Sequence, residues 1–111
     1  MNYDNENIFA KILRSEIPCN KVFENKFVLS FDDINPKAKI HVLVIPKTPH
    51  IDIADFLANA DKEIQTGFWS SVNEIIDLLG LRKKGFQIKT HKGKDGGQEV
   101  FHFHIHLMSN S

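Results

Sequence analysis

At 111 residues the chain has the length of one compact domain, long enough to bury a real core without disulfide staples. Its fourteen basic and fourteen acidic residues cancel, so no strong field draws it to nucleic acid or to an anionic membrane; the single cysteine, Cys19, excludes an internal disulfide and fits a reducing compartment. The N-terminus carries no basic segment leading into an apolar stretch, and no run approaches membrane-spanning length, so a cytoplasmic protein is expected.

Ile8, Phe9, Ile12 and Leu13 have helical spacing, and Pro18 lies beyond that helix's end. Short strands are expected at Lys21–Glu24 and residues 27–31, joined by a turn at Asn25-Lys26. Asp32-Asp33-Ile34-Asn35-Pro36 is a turn, because Asp, Asn and Pro favour local backbone bonding over a ladder. Residues 39–45 are nearly continuous in apolar side chains and stop at Pro46, the pattern of a central strand covered on both faces. The main helix carries Ile64, Phe68, Val72, Ile75, Ile76 and Leu79 at the 3.6 period, with Asn59 or Asp61 to cap its start and Gly80 to end it. Gly67 inside it costs roughly 1 kcal/mol relative to Ala, which points to close packing there. The run Arg82-Lys83-Lys84 complements the helix's negative end. A strand at residues 85–90 and the turn Lys92-Gly93-Lys94-Asp95-Gly96-Gly97 then lead into a last strand at residues 100–108. The sum is a single α+β domain over residues 1–111: an antiparallel sheet of about five strands with one main helix and a short N-terminal helix.

That last strand holds the chemistry. His102, His104 and His106 alternate with Phe101, Phe103, Ile105 and Leu107, so at a period of two the imidazoles share one face. Three unpartnered buried imidazoles would be costly, so the face is not expected to be ordinary core. Metal binding is one reading. However, His102 and His106 would have Cα atoms about 13 Å apart, too far to converge on one zinc with bonds of about 2.0–2.1 Å. Incidental surface histidines are another. The third is catalysis on an anionic group, since imidazoles offer a nucleophilic nitrogen and donors for phosphate oxygens. The Gly96-Gly97 turn could bring backbone N–H groups to the anion.

The run Gly96-Gly97-Gln98-Glu99-Val100-Phe101-His102-Phe103-His104-Ile105-His106-Leu107 resembles the signature of the histidine triad (HIT) family, a Gly-Gln element before His-x-His-x-His. Ile8-Phe9-Ala10-Lys11-Ile12, Glu16-Ile17-Pro18, Phe31-Asp32-Asp33-Ile34-Asn35-Pro36 and His41-Val42-Leu43-Val44-Ile45-Pro46-Lys47 resemble its other recurrent segments, in the family's order. Together they are similar to the purine nucleoside phosphoramidase, or histidine triad nucleotide-binding, branch. The resemblance implies a HIT-like domain that hydrolyses purine nucleoside phosphoramidates or aminoacyl-adenylate-like compounds without a cofactor or metal. In that scheme His104 is the nucleophile, attacking the α-phosphorus to form a nucleotidyl-histidine that water then hydrolyses. His102 and His106 bind the phosphate, and Gln98 hydrogen-bonds near it. Asp33 takes the ribose hydroxyls, Ile8, Phe9, Ile12 and Ile34 wall the base, and His41 supports the triad. His91, Gly97, Glu99 and Val100 complete the nucleotide site.

From spacing alone Ile8, Phe9 and Ile12 read equally as core, Asp33 as a turn residue, His41 as a satisfied core histidine and His50 as an exposed loop residue. Three features depart from the family pattern. His91 stands where Asn is usual, Glu99 where many members have Ser, and the chain ends five residues beyond His106. The N-terminal Cys-x-x-Cys that carries structural zinc in some members is here Asn7-Ile8-Phe9-Ala10. A dinucleoside polyphosphate hydrolase and a nucleotide-binding regulatory module with weak activity are the alternatives. Trp69 on the main helix and a strand at residues 86–90 that would be an exposed edge are apolar surface in excess of one core. With the resemblance, they imply a homodimer.

Overall fold

A computed structural model describes residues 1–110. Its elements in chain order are α1 (Ile8–Leu13), β1 (Lys21–Glu24), β2 (Val28–Asp32), β3 (Ile40–Pro46), α2 (Ile53–Asn59), α3 (Lys62–Leu78), β4 (Gln87–Lys89) and β5 (Ile105–Ser109), with a 3₁₀ turn at Lys94–Gly96 before β5. The strands form one sheet in the order β1-β2-β3-β5-β4, every pair antiparallel. The expected α+β architecture with a central third strand is therefore present. Among the described residues no helix is long and apolar enough to cross a membrane.

Period-two alternation splits the sheet's side chains between two cores. On one face Val42 and Val44 of β3 and Ile105 and Leu107 of β5 pack with Phe56, Phe68, Val72 and Ile75 of α2 and α3. On the other, Leu43 and Ile45 pack with Leu29 and Phe31 of β2 and with Phe9 and Ile12 of α1. His41 and His106 project on this second face, because they alternate with the buried residues of the first. Leu43 lies directly opposite His106 in the β3–β5 ladder, and His41 opposite Met108. The register thus fixes which histidines can meet.

Two features differ from the expectation. The helix α2 fills the segment after Pro49 and is started by Asp52, whose side chain accepts from the Asp55 N–H at 2.8 Å. Ile53, Phe56 and Leu57 keep the i, i+3, i+4 spacing behind that cap, but seven residues are too few for the pattern to stand out. The last strand begins at Ile105 rather than near residue 100. Residues 100–104 leave the ladder because their polar groups bind elsewhere: the Phe103 N–H goes to the His50 carbonyl at 2.7 Å and the His102 ring to the Pro46 carbonyl. His50 is accordingly half-buried, its ring against Phe56, and not a loose loop residue.

Gly67 earns its place in α3 by close approach. A Cβ there would stand 2.5 Å from Phe27 ring carbons, well inside van der Waals contact. Gly67→Ala should therefore destabilise the fold by about 1–3 kcal/mol through overpacking, in spite of the roughly 1 kcal/mol that Ala gains in helix propensity. Equilibrium denaturation checks this, and a more stable variant would contradict it.

Candidate functional site

A cavity of about 790 Å³ opens on the α1 face of the sheet. Of the expected site residues, Ile8, Phe9, Ile12, Asp33, Ile34, His41, His91, Gly97, Glu99, Val100, His104 and His106 line it. His102 and Gln98 do not. Ile34 is 91% exposed and Ile8 46%, so both present bare apolar surface at the mouth.

The loop after β4 is built to deliver His104. Gly97 closes the 3₁₀ turn at φ +78°, a left-handed conformation that favours glycine. The N–H groups of Gly96 and Gly97 bond to the carbonyls of Gly93 and Lys94, so they hold the turn instead of offering themselves to an anion as the sequence suggested. Gln98 is placed apart from the cavity. Its amide accepts from the Gly93 N–H at 2.8 Å and donates to the carbonyls of Ile51 and Val100 at 2.7 and 3.1 Å. It pins the loop to the segment before α2 and is turned away from the cavity.

His102 is likewise placed apart from the cavity. The residue is fully buried, and its Nε2 lies 2.9 Å from the Pro46 carbonyl, which can only accept. The ring proton therefore sits on Nε2, and Nδ1 accepts from the Tyr3 hydroxyl at 2.5 Å. Both ring nitrogens are engaged inside the protein, and the His102 side chain does not line the cavity. Burial, with a smaller contribution from the charge of His104, pushes its pKa down to about 4.

The two remaining triad histidines are held in opposite senses. His104 donates Nδ1–H to the backbone carbonyl of His102 at 2.7 Å, which leaves the lone pair on Nε2. Burial holds its pKa below the usual imidazole range, so the ring is neutral at pH 7. The Phe9 ring edge packs on it at 4.9 Å, and the Thr90 hydroxyl donates to its carbonyl at 2.7 Å. His41 sets the opposite sense for His106. The Lys37 N–H donates to His41 Nδ1 at 2.9 Å, so the His41 proton sits on Nε2, 2.9 Å from His106 Nδ1. His106 Nδ1 is thus an acceptor, and its own proton is on Nε2. Burial first, then the neighbouring His104 and His41, lower the His106 pKa to about 4. The cavity is given one imidazole with a lone pair and another with an N–H.

Asp33 extends this relay. One carboxylate oxygen accepts from the Asn35 N–H at 2.8 Å; the other lies 3.3 Å from His41 Nε2 and 3.8 Å from His106 Nδ1. Asp33, His41 and His106 offer three ligand atoms within 4.8 Å of one another. The donor set nevertheless fits a resident ion poorly, because the His41 nitrogen facing the other two carries the proton that Lys37 directs there. His91 donates Nδ1–H to the Gly96 carbonyl at 2.9 Å, and its ring meets that of His106 edge-on at 5.4 Å. Cys19 and Lys89 also line the cavity, which no motif or spacing marked. Burial raises the Cys19 pKa, which makes it a poor nucleophile.

Comparison with known proteins gives a consistent result. A family model described as the HIT domain matches residues 14–111. An uncharacterised HIT-like protein of Helicobacter pylori is 47% identical over 103 residues, covering 93% of this chain and 95% of that protein. A solved HIT family hydrolase from Clostridium thermocellum superposes with a TM-score of 0.86 at 32% identity, over 97% of this chain and 93% of its own. A histidine triad nucleotide-binding protein from Candida albicans does so with a TM-score of 0.82 at 30% identity, over 92% and 73%.

The lowered histidines make stability depend on acid. His102 and His106 bind protons near pH 4 when folded but near 6.5 when unfolded. Between those values the unfolded chain holds more protons, so stability is complete above about pH 6.5 and falls as pH drops toward 4. Melting temperature measured against pH should show this decline; a flat profile across that window would contradict it.

Proposed function

The chain belongs to the histidine triad (HIT) family, and we propose that it is a nucleotide hydrolase of the phosphoramidase type, with His104 as its nucleophile. The observation that carries this reading is the pairing of a lone-pair nitrogen on His104 with an N–H on His106 at one cavity. The exposed Ile8 and Ile34 suit the flat apolar faces of a purine. The Asp33 carboxylate suits a ribose, since one carboxylate can accept from both hydroxyls.

In the reaction His104 Nε2 attacks the α-phosphorus of a purine nucleoside phosphoramidate. The phosphorus–nitrogen bond to the leaving amine breaks, and that nitrogen takes a proton from solvent water as it departs. The adduct's imidazole is cationic, and the His102 carbonyl accepting its Nδ1–H is placed to stabilise that charge. His106 Nε2–H steadies a phosphate oxygen. Water then attacks phosphorus and gives up a proton to solvent, the bond from phosphorus to His104 Nε2 breaks, and the nucleoside monophosphate leaves with the neutral ring restored. His102 and Gln98 support this geometry without touching substrate. The protein acts as a homodimer through β4, an edge strand exposed along its length, and through the exposed Trp69 and Phe86. Sedimentation should give a dimer at micromolar concentration; a monomer with no concentration dependence would oppose this.

His104→Ala should abolish turnover of an adenosine phosphoramidate while leaving AMP binding largely intact. In the unaltered protein the trapped nucleotidyl adduct should map to His104 by mass spectrometry. Near-normal turnover by the variant, or an adduct on another histidine, would sink the assignment. Faster turnover of a diadenosine polyphosphate than of the phosphoramidate would favour the polyphosphate hydrolase instead.

Asp33→Asn should weaken binding of ribonucleotides by roughly 1–3 kcal/mol if the carboxylate accepts from the ribose. Substrates lacking the 2′ and 3′ hydroxyls should be nearly indifferent to the change. An equal response from both kinds of substrate would count against the ribose role.

A further inference from the structure

We propose that Tyr3 is a positioning residue for the nucleophile, acting through His102; this rests on the reading of His104 as the group that attacks. Three hydrogen bonds carry the argument. The Tyr3 hydroxyl lies 2.5 Å from His102 Nδ1, His102 Nε2 lies 2.9 Å from the Pro46 carbonyl, and the His102 carbonyl accepts Nδ1–H of His104 at 2.7 Å. A carbonyl only accepts, so His102 carries its proton on Nε2 and needs a donor at Nδ1. Tyr3 is that donor. Its ring also meets the His102 ring edge-on at 5.6 Å.

Without the hydroxyl, His102 would hold a buried ring nitrogen with no partner, which is costly and invites the other tautomer. A proton moved to Nδ1 would set two acceptors, Nε2 and the Pro46 carbonyl, against each other. The residue would shift, and with it the carbonyl that fixes the His104 ring. The contact spans 99 positions of sequence, yet the segment bearing Tyr3 is braced. Asn7 caps α1 and its N–H bonds to the Asp4 carbonyl, while Arg14 donates to the Asn5 carbonyl at 2.8 Å. The same helix carries Phe9, whose ring edge rests on His104, so the N-terminal segment grips the nucleophile from two sides.

Tyr3→Phe keeps the ring and removes only the hydroxyl. It should lower kcat for an adenosine phosphoramidate about tenfold, the scale of a small misplacement of a reacting group, and leave KM nearly unchanged. The ¹⁵N resonances of the His102 ring should move from those of a fixed Nε2–H form toward a tautomer mixture. Gly67→Ala, far from the cavity and destabilising for its own reason, is the control; below both melting temperatures it should keep the unaltered kcat. Unchanged kcat with unchanged His102 resonances in Tyr3→Phe would overturn the proposal, as would a loss of kcat in Gly67→Ala matching that in Tyr3→Phe. An adduct mapped away from His104 in the unaltered protein would overturn the nucleophile reading and this proposal with it. An adduct on His104 together with unperturbed His102 resonances in Tyr3→Phe overturns this proposal alone.

Discussion

The bond from His104 Nδ1–H to the backbone carbonyl of His102 is the constraint on which the rest of the site depends. A neutral imidazole has one donor and one acceptor, so committing Nδ1 to donation leaves Nε2 as the only nitrogen able to attack. The partner is a main-chain carbonyl two residues away and cannot itself take the proton. The bond therefore selects a tautomer, and in the proposed reaction it would strengthen as the ring becomes positive. Burial adds the second requirement by keeping the ring neutral near pH 7.

The opposite polarity of His106 has a different origin. It comes from a relay that begins at the Lys37 N–H, passes through His41 and ends at His106 Nδ1, with Asp33 alongside. The β3–β5 register makes this possible, because His106 faces Leu43 across the ladder and His41 is two residues away on the same side. A register slip of one residue would send His41 into the helical core and break the relay. The two cores are therefore part of the chemistry: Val42, Val44, Ile105 and Leu107 on one face fix which way the histidines point on the other.

Periodicity made much of this legible. The main helix, the central strand and the antiparallel sheet follow from apolar spacing, and Gly67 was already anomalous in a helix. The triad motif marked a segment whose His104 and His106 both line the cavity, apart from the core residues between them. What periodicity could not reveal is the set of long-range polar partners. The strand rule placed His102 beside His104 and His106, but the ladder starts only at Ile105, and the ring of His102 is consumed by Tyr3 and Pro46. Gln98 looked like a phosphate ligand, yet its amide is spent on three backbone groups. The Lys37 N–H had no signal at all, since a backbone donor carries none in the sequence.

The proposed chemistry turns on a division of labour between a lone pair on His104 and an N–H on His106. Side-chain ¹⁵N chemical shifts and ¹H–¹⁵N couplings of the histidines at pH 7 test it most directly, before any substrate is added. His104 should be neutral with its proton on Nδ1, and His41 and His106 neutral with theirs on Nε2. A His104 ring protonated on Nε2, or fully charged at that pH, would contradict this division.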